Sequence, residues 1–335
     1  PGSHRALIDY ANALCPAIGA DEESVFAMQV PLYVDACMKE LLSVIKCGST
    51  AYLMQQSMFL SPLKAVEFLN EHRVNTLCWV ASALTIISGL GAFEDIKPEY
   101  MRTVCFGSEA FPVKQLQLWQ SACPGARFVN LYGPTEATGM SFYYVVDRDF
   151  SDGEPIPVGR PFDNTGFMLL REDDTEAAPG ETGEICIRGT ALTHGYFDDP
   201  ERTAAAFTQN PLNKHYPELI YRTGDLGRIN ERGELVFVSR KDHQIKNMGH
   251  RVELGEIEAC ADGCEGVVRS CCMFDKQKGK LLMFYMGAAD EKTLGKYLRS
   301  MLPRYMLPSK IKRLDALPLL ENGKIDRNSL KDMEI

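Results

Sequence analysis

Tyr132, Thr135 and Glu136 stand within five residues of one another, just after an apolar run, Phe128-Val129. An aromatic ring, a hydroxyl and a carboxylate gathered around Tyr132-Gly133-Pro134 read as a strand emptying into a tight turn. Three further polar clusters follow: Tyr221-Arg222-Thr223-Gly224-Asp225, Ser239-Arg240-Lys241-Asp242 and Asn322-Gly323-Lys324-Ile325-Asp326-Arg327. These residue types suit a nucleotide. An aromatic ring stacks on a base, and a carboxylate such as Asp225 accepts both hydroxyls of a ribose. Glu136 can ligate Mg²⁺, while Thr135 and a lysine can bind phosphate oxygens. Taken singly, each cluster has a plain alternative: Thr223-Gly224-Asp225 is more often a turn than a ribose clamp, and Asn322-Gly323-Lys324 more often still a solvated turn. No G-x-x-x-x-G-K-[ST] occurs and no G-x-G-x-x-G follows a strand, so P-loop and Rossmann readings fail.

The elements that must position these groups change in texture along the chain. Over residues 1–150, helical and strand patterns alternate. Ser61-Pro62 opens a helix with a capping serine and Leu63, Val66 and Leu69 on its apolar face. A buried strand, Val74–Val80, comes next, and Val113–Ala122 forms another helix. That alternation predicts a mainly parallel sheet covered on both faces. From 151 to 241, short strands at Gly166–Arg171, Glu184–Arg188 and Glu234–Ser239 are separated by Pro/Gly/Asp turns. A capped helix follows Asp199, and the whole reads as a β-rich, barrel-like subdomain. Residues 242–335 read as a smaller α+β domain with its own core. Its elements are a helix Gly255–Asp262, a hairpin of Val267–Phe274 and Lys280–Met286 turned at Lys276–Gly279, a helix Glu291–Leu302 and a strand Lys310–Leu314.

Composition narrows the function classes. The 335 residues are 45% hydrophobic and 24% charged, as in an ordinary globular chain. A formal net charge of -9 opposes binding to nucleic acid or an anionic membrane, both of which present phosphate charge. No apolar run approaches the roughly 20 residues that span a bilayer, and Pro1-Gly2-Ser3-His4-Arg5 lacks a signal-peptide core. The eleven cysteines are odd in number and mostly sit in apolar runs, as reduced, buried thiols of a cytoplasmic protein do. Cys260 and Cys264 with Cys271-Cys272 lack a nearby histidine, and the adjacent Cys271 and Cys272 point to opposite faces of a strand, so core packing is favoured over zinc.

In order, Tyr132–Glu136 (YGPTE), Gly183–Gly189 (GEICIRG), Tyr221–Asp225 (YRTGD), Arg240–Glu258 (RKDHQIKNMGHRVELGEIE) and Asn322–Arg327 (NGKIDR) resemble the successive core motifs of the adenylate-forming superfamily. That superfamily includes amino-acid adenylation domains of nonribosomal peptide synthetases, D-alanine–carrier-protein ligases, acyl-CoA synthetases and luciferases. The resemblance spans nearly the whole chain. It implies a carboxylate joined to ATP as an acyl-adenylate, then passed to a thiol. On these residues it implies adenine stacked on Tyr132 beside the Gly107-Ser108-Glu109 turn, with Asn130 near the base edge. Thr135 would meet the α-phosphate and Glu136 would hold Mg²⁺. Asp225 would clamp the ribose, with Arg240 at the ribose or phosphates. Lys324 would bridge the substrate carboxylate and the α-phosphate, a cation where charge builds at phosphorus; such a contact is typically worth about 3–4 kcal/mol. Asp242 resembles the hinge about which the small domain turns between adenylation and thiol transfer, with Ser239 where the motif usually has glycine.

The same resemblance places an amino-acid substrate against Asp35, whose carboxylate would take the α-ammonium, and a phosphopantetheine thiol on a carrier-protein partner. Asp35–Lys39 also fits a surface ion pair at i,i+4. Ala36, Lys39, Cys78, Val104, Phe106, Leu131, Gly139 and Met140 would line the substrate side. Lys39 would favour an acidic side chain and Phe106 a limited volume. Tyr132–Thr138, Gln244–Lys246 and Tyr305-Met306 resemble the D-alanine ligase branch, which implies a small amino acid. Two rivals stand beside this reading: an acyl- or aryl-CoA synthetase, and a non-catalytic nucleotide-binding remnant. The family's Gly/Ser/Thr-rich phosphate loop ends in Pro-Lys-Gly shortly before a Ser-His-Arg like Ser3-His4-Arg5, which implies that residues 1–335 lack that loop. Residues 1–335 alone are therefore expected to show little amino-acid-dependent ATP–pyrophosphate exchange, and exchange at full enzyme rates would refute this.

Overall fold

In a computed structural model, residues 1–151, 154–241, 244–275, 278–318, 325–331 and 333 are described. The chain divides into two compact units, Pro1–Lys241 and Asp242–Ile335.

In the first unit, strands β1 (Val25–Met28), β2 (Thr50–Leu53), β3 (Thr76–Val80), β4 (Thr103–Gly107), β5 (Arg127–Tyr132), β6 (Phe142–Val145) and β7 (Arg160–Pro161) form one sheet. Their order is β2-β1-β3-β4-β5-β6-β7. The β1 to β5 pairings are parallel, while β6 and β7 run antiparallel at one edge. Every residue of β3 and β4 is buried, as central strands with both faces covered must be. One face packs Trp79, Phe106 and Phe128 against α3 (Pro62–Glu71), α4 (Ala81–Gly89), the short α5 (Ala92–Asp95) and α6 (Val113–Ala122). The other packs Cys78, Cys105, Val129 and Leu131 against α1 (His4–Ile18), through Tyr10, Leu14 and Ile18. Ser3 caps α1 by accepting the Ala6 N–H at 3.0 Å, and Gly19 ends it at φ 70°. Helix α2 (Met38–Cys47) follows a 3-10 turn, Asp35–Cys37.

Helix α3 begins at Pro62 as expected, but the Ser61 side chain makes no capping bond there. Leu63 is 39% exposed, while Ala65, Val66 and Leu69 are fully buried. At 3.6 residues per turn, Leu63 lies roughly 110° round the helix from the centre of that buried stripe.

The rest of the first unit is antiparallel. Strands β8 (Thr165–Leu170), β9 (Gly183–Gly189), β10 (Phe207–Gln209), β11 (Leu219–Ile229) and β12 (Leu235–Arg240) run in the order β10-β11-β9-β8, with β12 on β11. Helix α7 (Pro200–Ala206) is capped by Asp199, whose side chain accepts the Arg202 N–H. Phe142 of the first sheet shares a core with Leu169, Ile185, Ile187 and Leu235 of the second, so the two sheets are packed through buried side chains.

The second unit holds a hairpin of β13 (Gln244–Asn247) and β14 (His250–Glu253), then helix α8 (Leu254–Asp262). Strands β15 (Val267–Asp275), β16 (Lys280–Gly287) and β17 (Lys310–Arg313) form a sheet with helix α9 (Glu291–Met301) between β16 and β17, and α10 (Arg327–Lys331) comes last. The turn expected at Lys276–Gly279 lies partly outside the described residues. Cys272 packs with Ile257, Met283 and Leu294, whereas its neighbour Cys271 faces Phe284 and Leu330 on the other side. Glu258 Oε1 accepts the Cys272 N–H and an Arg327 N–H, each at 2.6 Å, which ties α10 to α8 and β15. All eleven cysteines are free. Among the described residues no helix is long and apolar enough to cross a membrane, and no three His, Cys, Asp or Glu side chains converge to hold a metal.

Trp119 is fully buried on α6, and its indole N–H donates to the Leu84 carbonyl at 3.0 Å. Replacing it by alanine is expected to cost the first unit about 3–5 kcal/mol, read as a lowered urea midpoint.

Candidate active site

At the carboxyl end of β5, Gly133 lets the chain fold back on itself. A Cβ there would meet the Gly139 carbonyl at 2.2 Å and the Ser141 nitrogen at 2.5 Å, both backbone atoms that no rotamer change can move. The next residues close a 3-10 turn, Thr135–Ala137, ended by Thr138 at φ 60°. The turn thus sits outside the ends of the parallel strands, where open α/β sheets place ligands.

Asp225 comes to this turn from the second sheet. Pairing of β11 with β9 is irregular between Arg222 and Leu226, and Gly224 in between takes φ 71°. A bulge of this kind re-aims a side chain. The Asp225 carboxylate, 7% exposed, accepts the Tyr132 hydroxyl on one oxygen and the Arg240 guanidinium on the other. Arg240 is its direct cross-strand neighbour on β12 and also donates to the Thr223 carbonyl at 3.2 Å. Burial, and then the Asp225 charge, hold the Tyr132 phenol well above its usual range, so it stays a protonated donor.

Around this centre, Gly107 lets β4 approach β5, since a Cβ would meet the Leu131 carbonyl at 2.3 Å. Ser108 follows at φ 67°, and the Glu109 carboxylate accepts the Ser82 N–H at 3.0 Å. Asn130 donates its side-chain amide to the Pro157 carbonyl at 2.8 Å.

Thr135 donates its hydroxyl to the Asp35 carboxylate at 2.7 Å, joining two residues a hundred positions apart. Lys39 is only 3% exposed, so a solvated Asp35–Lys39 pair does not describe this helix end. Glu136 is 6% exposed, and its carboxylate accepts the Tyr196 hydroxyl at 2.7 Å. A carboxylate oxygen beside hydroxyls is a hard donor set. Mg²⁺ commonly uses one or two protein carboxylates together with substrate phosphates, so Glu136 suits Mg²⁺ without an acidic cluster.

The residues expected on the substrate side divide. Cys78, Leu131 and Met140 pack with Tyr10 on the α1 face, and Gly139 lies against the Tyr10 ring, its ideal Cβ 3.3 Å from the hydroxyl. Val104, Phe106 and Ala36 pack in the opposite cluster. The register explains this: Cys78 pairs with Cys105, while Leu77 and Trp79 pair with Val104 and Phe106. Lys324 and Asp242 lie outside the described residues.

Sequence reading missed three groups. Tyr196 carried a faint signal, an aromatic beside Gly195 just ahead of a capped helix. Tyr10 and Glu40 carried none, because a tyrosine or glutamate on an amphipathic helix usually faces water. Both are buried, and among the described residues the Tyr10 hydroxyl and both Glu40 carboxylate oxygens have no hydrogen-bond partner.

The AMP-binding enzyme family matches residues 1–197, and the chain belongs to that family, the adenylate-forming superfamily its ordered motifs resemble. Tyrocidine synthase 2 of Brevibacillus parabrevis is 34% identical over 305 residues, 90% of this chain and 8% of that protein. Zwittermicin A synthase ZmaJ of Bacillus cereus is 31% identical over 341 residues, 98% of this chain and 63% of that protein. Among solved structures, holo-PA1221, an NRPS protein containing adenylation and PCP domains bound to a vinylsulfonamide inhibitor, is 28% identical. It matches with a TM-score of 0.81 over 96% of this chain and 56% of that one. The chain therefore spans less than two thirds of each of these relatives.

Burial pushes the Glu40 carboxyl up from its ordinary 4.5 to about 7, against the opposing pull of Lys39. Folded Glu40 holds its proton more tightly than unfolded Glu40. Its contribution to stability is therefore intact below pH 4.5 and is lost as pH rises through about 7. At 1.36 kcal/mol per pKa unit the loss is of order 3 kcal/mol. Glu40→Gln is expected to flatten stability between pH 5 and pH 8 by about 2–3 kcal/mol relative to the parent, measured by urea unfolding at both pH values.

Proposed function

We propose that the chain forms the site of an ATP- and Mg²⁺-dependent, AMP-forming ligase. In this reading it activates an amino acid as the aminoacyl-adenylate and passes it to the phosphopantetheine thiol of a separate carrier protein. The observation that carries the reading is the Thr135–Asp35 hydrogen bond at 2.7 Å. In an α-amino acid one carbon separates the ammonium from the carboxylate that must attack phosphorus. An acceptor for the ammonium must therefore lie beside a donor for the α-phosphate, and Asp35 and Thr135 are in contact. A fatty or aryl acid needs no such neighbour, which is why the CoA-synthetase reading ranks second.

The remaining roles follow from the chemistry of each group. Asp225, oriented by Arg240 and Tyr132, accepts the ribose hydroxyls. The Tyr132 ring, with its hydroxyl fixed on Asp225, offers a face for the base. Glu136 would hold Mg²⁺, which when bound supplies positive charge to the phosphate oxygens. Lys324 is assigned the bridging role between the two repelling anions by its motif, and Asp242 the hinge. The names of the relatives, with their synthases and PCP domains, agree with a carrier-bound product. Eleven unpaired cysteines agree with a reducing, cytoplasmic setting.

Binding of two non-reactive adenylate analogues tests the reading on this chain: an aminoacyl-sulfamoyladenosine series and a matched acyl-sulfamoyladenosine lacking the amine. Loss of a charge-assisted contact of about 1.5–3 kcal/mol makes the Asp35→Ala variant roughly 10- to 150-fold weaker for the aminoacyl analogue and unchanged for the acyl one. Equal affinity changes for both analogues, by calorimetry, would overturn amino-acid selection by Asp35.

A further inference from the structure

The Glu136 carboxylate is held from a second segment of chain. That segment, residues 191–196, is stitched to the 3-10 turn at three points. Thr138 donates its hydroxyl to the Ala191 carbonyl at 2.6 Å, the Thr193 N–H donates to the Glu136 carbonyl at 2.8 Å, and the Tyr196 hydroxyl donates to Glu136 Oε1 at 2.7 Å. Tyr196 is itself well fixed. Its N–H donates to the Thr203 hydroxyl at 2.9 Å, and that hydroxyl donates to the Asp199 carbonyl at 2.7 Å. The Arg202 guanidinium lies 4.3 Å from the centre of its ring, and Phe207 meets the ring edge-on at 6.2 Å. Gly195 turns the chain at φ 106° where a Cβ would strike Thr203 at 2.3 Å, so the segment runs tight against α7.

A glutamate side chain has three rotatable torsions, and a metal ligand must be held in one orientation to bind well. Groups that hydrogen-bond a ligating carboxylate supply that restraint, and their loss typically lowers metal affinity about 10- to 100-fold. We propose that Tyr196 is a positioning residue for the divalent-cation site. Its hydroxyl holds the Glu136 carboxylate facing the phosphate-binding turn, and it acts through Glu136 rather than on the substrate. The proposal rests on the reading of Glu136 as the Mg²⁺ ligand.

The test uses Mn²⁺ as the probe and reads the free Mn²⁺ concentration that half-saturates its binding to the chain–ATP complex, by electron paramagnetic resonance. Parent, Tyr196→Phe, Glu136→Gln and the double variant are compared, and ATP affinity without metal is measured in parallel. Tyr196→Phe keeps the ring, its packing and the Arg202 contact. It is expected to raise the half-saturating Mn²⁺ about tenfold or more, to leave metal-free ATP affinity unchanged, and to add nothing in the Glu136→Gln background. An unchanged Mn²⁺ requirement in Tyr196→Phe, with a raised one in Glu136→Gln, overturns the role of Tyr196 alone. An unchanged requirement in both overturns the Mg²⁺ reading of Glu136 beneath it. Equal loss of ATP affinity with and without metal would make Tyr196 merely structural and also end the proposal.

Discussion

Asp225 is a nearly buried carboxylate, and removing its charge from water is costly unless partners replace the lost hydration. Arg240 and Tyr132 are those partners, and they come from different sheets: Tyr132 ends β5 and Arg240 ends β12. Satisfying one anion therefore requires the parallel sheet and the antiparallel sheet to meet at a single place. The shared apolar core of Phe142, Ile185, Ile187 and Leu235 brings the sheets together without direction, and the polar triad sets where their ends align. A site that reads base, ribose and phosphate at once needs that alignment, because its parts come from strands far apart in sequence.

Thr135 and Asp35 show a second consequence of the same geometry. A hydroxyl assigned to a phosphate and a carboxylate assigned to an ammonium satisfy each other across 2.7 Å. On the proposed assignments, an amino acid engaging Asp35 would compete for its carboxylate and free the Thr135 hydroxyl for the nucleotide. In that proposal the two substrates would favour each other through exchange of one hydrogen bond, a coupling that is reciprocal.

Much of the fold was legible in the residues. The apolar run Val74–Val80 announced the buried central strand β3, and Pro200 after Asp199 announced α7. In the second unit the expected elements between Gly255 and Leu314 correspond to α8, β15, β16, α9 and β17, where local alternation and caps dominate, whereas the β13–β14 hairpin and α10 were not expected. Legibility failed where side chains cross between elements. Leu63 had the right spacing for a buried face, yet α3 buries a stripe centred elsewhere, which depends on how the helix rests on the sheet. Val104 and Phe106 were expected on the substrate side with Cys78, and strand register places them on the opposite face of the sheet from it, a division the resemblance did not carry. Glu40 and Tyr10 drew no reading from the sequence, and both are buried.

By itself, the sequence determined which groups are available and in what order: the ring, hydroxyl and carboxylate of YGPTE, the aspartate of YRTGD and the arginine that follows it in the next motif. Those motifs encode local chemistry, such as a glycine where the backbone must touch backbone and a bulge-forming Thr-Gly-Asp. Tertiary structure alone decided the pairings across long separations: Tyr132 with Asp225, Thr135 with Asp35, and Glu136 with Tyr196. Such contacts depend on sheet register and on the stagger of strand ends, which are properties of the whole packed core and are written in no short stretch of chain.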